Sequence, residues 1–186
     1  MARPRETIEQ FAKREAQEML DREEAREFYK QNSLKLAEEM PQHFFEFCAM
    51  LRKAVARFNE SCDPMLRMYW RESASLATRD PNPNADFNLT FNRDKSEITV
   101  SLNALGRSGK PPVYLIEING LIKGEVFMAR VEGQVREKNI VFRITMNFKQ
   151  KDCTLEQWAE RLVLSVVKQE ATELLDDGER AGLGIS

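Results

Sequence analysis

The sequence predicts an α+β fold, with helical segments at both ends and an antiparallel sheet between them. Three observations carry that expectation. Apolar residues recur at three- and four-residue steps before Pro64 and again after Thr154. Between these limits the period drops to two, with polar and apolar residues alternating along several short runs. The runs are separated by short turn-rich clusters, which place consecutive strands side by side as an antiparallel meander of about six strands.

Residues 4–40 read as a first helix. Pro4 suits a first-turn position. The run "ETIEQFAKREAQEMLDREEAREFYKQ" holds no glycine or proline and is rich in helix formers. Its apolar stripe is thin: Ile8, Phe11, Ala12, Ala16, Met19 and Leu20, then Phe28, Tyr29, Leu34, Leu36 and Ala37, with almost nothing apolar from Asp21 to Glu27. So polar a segment does not bury much of its surface. About 36 helical residues span roughly 54 Å, against a diameter of about 40 Å for a compact domain of this size. The helix therefore either breaks, with Asn32 and Ser33 as the natural capping pair, or overshoots the domain as an arm, or lies as a solvated helix along the domain surface.

Pro41 is expected to end this helix and start a second. There Phe44, Phe47, Cys48, Leu51, Val55, Phe58 and Cys62 share one core-facing side. After Pro64, Leu66, Met68, Trp70, Ala74 and Leu76 alternate with Arg67, Tyr69, Arg71, Ser73 and Ser75, which reads as one long strand. Phe87, Leu89 and Phe91, then Ile98, Val100 and Leu102, form a hairpin. "VYLIEI" at 113–118 is apolar on both faces except for Glu117. Phe127, Ala129, Val131 and Val135 follow, with Val126 and Met128 opposite. Ile140, Phe142, Ile144, Met146 and Phe148 complete the last strand. The two-sided apolar content places a helix or a partner molecule against part of the second sheet face. Thr154 and Gln157 make a capping box for a C-terminal helix whose stripe runs from Trp158 through Leu162, Val163, Val166 and Val167 to Ala171, Leu174 and Leu175. That helix is expected to pack on the sheet. The predicted organisation is a charged helix over 1–40, a single domain over 41–176 and a tail over 177–186.

Composition narrows the function classes. Of 186 residues, 42% are hydrophobic, enough for a core, and 31% are charged with a net charge of only −2. Residues 65–151 carry an excess of 5 positive charges and residues 152–186 an excess of 5 negative ones, so the two segments attract each other. This balance argues against nucleic acid as the partner. There is no run of apolar residues long enough for a transmembrane helix and no secretory h-region at the N-terminus. Cys48, Cys62 and Cys153 are odd in number and widely spaced, neither a disulfide framework nor a zinc pattern, which points to a cytoplasmic protein.

Candidate sites follow from residue type and spacing. "LGRSGKPPVYLIEI" carries Arg107, Gly109 and Lys110, but Ala104 stands where a phosphate-binding loop needs its first glycine, Pro111 where it needs a hydroxyl, and a strand follows instead of a helix. The only histidine, His43, lies beside Phe44 and Phe45 and reads as a packing residue. Cys48 and Cys62 fall on a core face, leaving Cys153 as the most exposed thiol. No catalytic set, metal set or cofactor motif emerges. The remaining candidates are surfaces. Arg67, Tyr69, Arg71, Arg130 and Arg143 are expected on the polar sheet face, where forked guanidinium donors suit an acidic partner unless Glu72, Glu97, Glu125 and Glu132 pair with them across strands. Phe11, Met19, Phe28 and Tyr29 mark the first helix as a docking element. The leading expectation is a non-catalytic interaction or assembly protein, binding a protein partner or itself through that helix and the sheet face. The alternative is a small-ligand module, with or without enzymatic activity, with a pocket between the C-terminal helix and the sheet, lined by Trp70, Phe87, Phe91, Phe142 and Trp158.

Overall fold

The computed structural model describes residues 7–80, 82, 84–91, 96–107, 110–136, 139–147 and 149–168. The fold is α+β. In chain order it contains α1 (Ile8–Ser61), a 3-10 turn (Pro64–Leu66), β1 (Tyr69–Glu72), α2 (Ala74–Thr78), β2 (Asp86–Phe91), β3 (Ser96–Arg107), β4 (Lys110–Ile122), β5 (Glu125–Arg136), β6 (Asn139–Met146), β7 (Lys149–Cys153) and α3 (Leu155–Lys168). The seven strands form one antiparallel meander in sequence order.

One helix of 54 residues replaces the two expected at the N-terminus. It runs unbroken through Asn32 and Ser33, where Asn32 Nδ2 donates to the Phe28 carbonyl at 2.8 Å and so satisfies itself within the helix. It also runs through Pro41. An interior proline costs about 3 kcal/mol through its missing N–H and its clash with the preceding turn. Here Met40, just before the proline, and Phe44, three residues after it, are both buried, and their packing offsets that cost. Thr7 starts the helix: its Oγ1 accepts from Gln10 N at 3.2 Å while Gln10 Oε1 accepts from Thr7 N at 3.0 Å.

The expected long strand over 66–76 is cut short. β1 holds only four residues, because Ser73 caps α2 by accepting from Leu76 N at 3.3 Å and also from Asp86 N at 3.0 Å. Local side-chain bonding thus overrides the alternating pattern. The seventh strand was not expected. "KQKDC" has no apolar alternation, yet it pairs with β6 from Phe142↔Cys153 to Met146↔Lys149. As an edge strand it needs no buried face, and its lysines suit that position. Asn147, at φ 48°, turns the chain into it. The β4–β5 hairpin turns through Lys123 and Gly124, both at positive φ, as a two-residue hairpin favours.

One face of the sheet carries the core. Phe87, Val100, Ile118 and Ala129 face the helices in one row, and Leu102, Ile116, Val131 and Ile144 in the next. α1 crosses β4 and β5, and α3 lies beside α1 with Phe47 stacked on Trp158 at 4.5 Å. The principal cover of the sheet is therefore α1 rather than the C-terminal helix. Thr154 caps α3 as expected, accepting from Gln157 N at 3.2 Å. Pro4, Phe148, the side chain of Val135, the stripe positions Ala171, Leu174 and Leu175, and the tail over 177–186 lie outside the described residues.

Candidate functional site

The feature that departs most from an ordinary small domain is the first half of α1. None of residues 7–35 is buried, and burial begins at Leu36. About 28 residues, roughly 42 Å of helix, thus extend beyond the core. Along this arm Ile8 is 89% exposed, Met19 60% and Leu20 54%, and Phe11, Phe28, Tyr29 and Leu34 are about half exposed. The helix is maintained by its own surface. Gln17 Nε2 donates to Asp21 at 2.8 Å, Arg22 bridges to Glu18 at 3.2 Å, and Arg14 lies 5.2 Å over the Phe11 ring. Phe28 and Tyr29 meet edge to face at 6.0 Å.

The arm is rooted in the domain by three contacts. Leu36 lies on Gly133 of β5. Met40 enters the core. His43 packs its ring against Phe142 at 5.1 Å, with Nδ1 3.2 Å from Glu46 Oε2 and a buried Nε2 that has no hydrogen-bond partner among the described residues. The Glu46 carboxyl is held below the usual carboxylate range, first by a hydrogen bond from Gln42 and then by His43. The single histidine is thus a packing group at the foot of the arm.

The expected arginine face is not a single cluster. Tyr69 and Arg71 are exposed on β1, with Arg67 just before it. Arg130 lies four strands away, about 19 Å across the sheet. Arg130 donates to Glu117 Oε1 at 2.9 Å, and Glu117 also accepts from Asn103. Arg143 clasps Asp152 with two bonds of 2.9 and 3.3 Å. Arg130 and Arg143 thus take Glu117 and Asp152, each a direct cross-strand neighbour, while the expected Glu132 is the neighbour of Arg143 on its other side. Glu72 pairs instead with Arg52 of α1.

On this outer face an open trough of about 560 Å³ runs past Glu117, Asn119, Arg130, Thr145 and Gln150. Beside it Leu121 and Val126 face each other across β4 and β5, with Met128 next to them, and all three are exposed. α1 lies on the other face, so among the described residues nothing covers this second apolar patch. Leu115, on the same outer side, is buried.

Of the proposed pocket residues, Phe142 lines an open groove of about 560 Å³ between β6, β7 and the start of α3, with His43, Cys153, Leu155 and Gln157. Phe87, Phe91, Phe142 and Trp158 are buried in the core cluster. Trp70 is 43% exposed at the sheet edge, because β1 ends the sheet and the core does not reach it. The thiols also redistribute. Cys153 is buried and its pKa is raised to about 11, mainly by desolvation. Cys48 is buried and pushed up for the same reason, and Cys62 is the most accessible of the three. Cys153 loses its expected exposure because β7 carries it against Phe142. Among the described residues no three His, Cys, Asp or Glu side chains come together as metal ligands. No described helix is long and apolar enough to cross a membrane.

"GRSGK" lies at the β3–β4 hairpin. Arg107 pairs with Lys110 after a bulge at Leu105, so two long strands, and no helix N-terminus, flank the glycines. Ser108 and Gly109 lie outside the described residues. Comparison with protein family models, with curated proteins and with solved structures gave no match.

Proposed function

We propose that this chain is a non-catalytic interaction or assembly protein whose docking element is the arm of α1, supported by a helix-on-sheet domain. One observation carries the reading. The helix continues for about 42 Å past its last core contact while displaying seven large apolar side chains. A helix that served only the domain would end near Leu36, and exposed apolar surface of this extent on a regular element is characteristic of interaction sites. An amphipathic helix presenting side chains at i, i+3 and i+4 is also a recurrent protein-recognition element. The Leu121, Val126 and Met128 patch on the outer sheet face is a second exposed apolar surface.

The test is removal of residues 1–30. The shortened chain is expected to keep its sheet and to unfold within about 0.5 kcal/mol of the full chain, since it loses no buried contact. It is expected to lose association with itself or with an immobilised protein partner. If it keeps the full chain's association unchanged, the arm is not the docking element.

A further inference from the structure

We infer that the occupant of the arm is the arm of a second copy of this chain, laid antiparallel to the first. This rests on the arm being the docking element and adds its partner and orientation. Stepping back from Met40 and Leu36 by three and four residues reaches Ser33, Tyr29, Arg26, Arg22, Met19, Glu15, Phe11 and Ile8. The face that enters the core at Leu36 and Met40 therefore continues along the arm as one seam, with apolar side chains towards its ends and at Met19.

The charges on this seam choose both partner and direction. Its N-terminal half carries Glu15 with Glu18 beside it. Its C-terminal half carries Arg22 and Arg26. A parallel, in-register copy sets Glu15 against the partner's Glu15 and Arg22 against the partner's Arg22, which is repulsive along the whole centre. An antiparallel copy with its two-fold axis beside Met19 brings Glu15 to the partner's Arg22 and the partner's Arg26, twice by symmetry. It also brings Ile8 to the partner's Tyr29 and Met19 to the partner's Met19. The seam is self-complementary in this direction only.

The length fits as well. In that register the start of one helix lies opposite residue 30 of the other, about 9 Å short of where Leu36 meets the sheet. The overlap thus uses nearly all of each arm and ends before the two domains collide. The arrangement is closed and isologous, so it yields a dimer with the sheets at opposite ends and no open chain of subunits.

The experiment uses the full chain and two charge variants. Glu15→Arg with Glu18→Arg makes the centre of the seam basic throughout, and Arg22→Glu with Arg26→Glu makes it acidic. Sedimentation equilibrium of the wild type is expected to show a monomer–dimer transition. Each variant alone is expected to weaken it by at least about tenfold, and their equimolar mixture to restore a heterodimer. Circular dichroism of each variant checks that the fold is retained. Spin labels at Glu9→Cys in a Cys62→Ser background are expected about 30 Å apart along the helix axis in the dimer, whereas a parallel pair holds them side by side. A monomeric wild type, variants that dimerise normally, a mixture that fails to recombine, or adjacent labels each overturn the inference. A monomeric wild type whose arm still captures a different protein, lost on removing residues 1–30, overturns self-pairing alone and leaves the arm's docking role standing.

Discussion

Leu36 of α1 rests directly on the backbone of Gly133 in β5, so closely that a Cβ added to the glycine would lie 2.7 Å from Leu36 Cδ2. This is the point where the helix stops being an exposed arm and becomes a core element, since Leu36 is its first buried residue. Gly133→Ala is therefore expected to destabilise the domain by about 1–3 kcal/mol through overpacking. Leu36→Ala alone is expected to cost about 2–4 kcal/mol through the cavity it leaves. The double substitution is expected to cost less than the sum, because the new methyl occupies space that Leu36 vacated. Denaturant unfolding of the four proteins in this cycle measures the coupling, and strict additivity would mean that the contact does not set the height of α1 above the sheet.

Gly120 is a harder constraint. A Cβ there would lie 2.0 Å from the Glu97 carbonyl oxygen, which is backbone and has no rotamer to escape into. Gly120→Ala is expected to cost more than Gly133→Ala, about 3 kcal/mol or above, and to disturb the β3–β4 pairing. Gly106 has open space around the same position and provides the control, with Gly106→Ala within about 0.5 kcal/mol of wild type. Equal effects at Gly106 and Gly120 would refute the steric explanation.

These contacts mark the boundary of what is legible in the sequence. The core of the meander can be read from it, because Phe87, Leu89, Ile98, Val100 and Ile144 alternate with polar residues and are all buried. The low burial of the first helix can also be read, because Asp21–Glu27 has no apolar face to bury, but its projection as one unbroken arm cannot, because Asn32 and Ser33 also suit a cap. β7 is hidden because an edge strand can be polar on both faces. The continuity of α1 through Pro41 is hidden because the packing that outweighs a proline comes from strands distant in sequence. The pairings of Arg130 with Glu117 and Arg143 with Asp152 depend on register, which a one-residue slip would change entirely. Trp70 looks like core by alternation, but its strand is the edge and no described strand lies beyond it.

Thiol reactivity follows from the corrected burial. At mildly alkaline pH one thiol per native chain, Cys62, is expected to react rapidly with an alkylating reagent. Cys48 and Cys153 are expected to react only on unfolding, because both are buried and their pKa values are raised by desolvation. A raised thiol pKa favours the neutral folded form. The stability it contributes is thus fully present below the ordinary thiol pKa of 9.0 and is lost as pH climbs through about 11. Mass spectrometry of alkylated peptides checks the order, and rapid labelling of Cys153 in the native chain would contradict it.

Acid acts at the foot of the arm. The Glu46 carboxyl is held low by Gln42, which donates to it at 3.0 Å, and by His43. A depressed carboxylate pKa gives stability that is present above its ordinary value and is lost as pH falls through the lowered one. Glu46→Gln is expected to flatten part of the fall in stability below roughly pH 5 while leaving the neutral-pH fold in place. An unchanged acid limb in unfolding scans would show that this carboxylate is not among the groups that set it.

Amide exchange along α1 provides a test that needs no partner in hand. From Leu36 to Val55 the helix carries eight buried side chains, whereas from Ile8 to Lys35 it carries none. An isolated helix of the arm's length gains only marginal stability from its own hydrogen bonds. In dilute solution, protection is therefore expected to fall by orders of magnitude between Met40 and Gln31, with the arm opening locally and the core half exchanging only near global unfolding. If two arms pair antiparallel, exchange in the arm slows as protein concentration rises and exchange beyond Leu36 does not change. The slowing is expected to centre on Met19, where the two seams cross, and to be abolished by Arg22→Glu with Arg26→Glu. Uniformly high protection along all of α1 at every concentration would contradict both the free arm and its pairing.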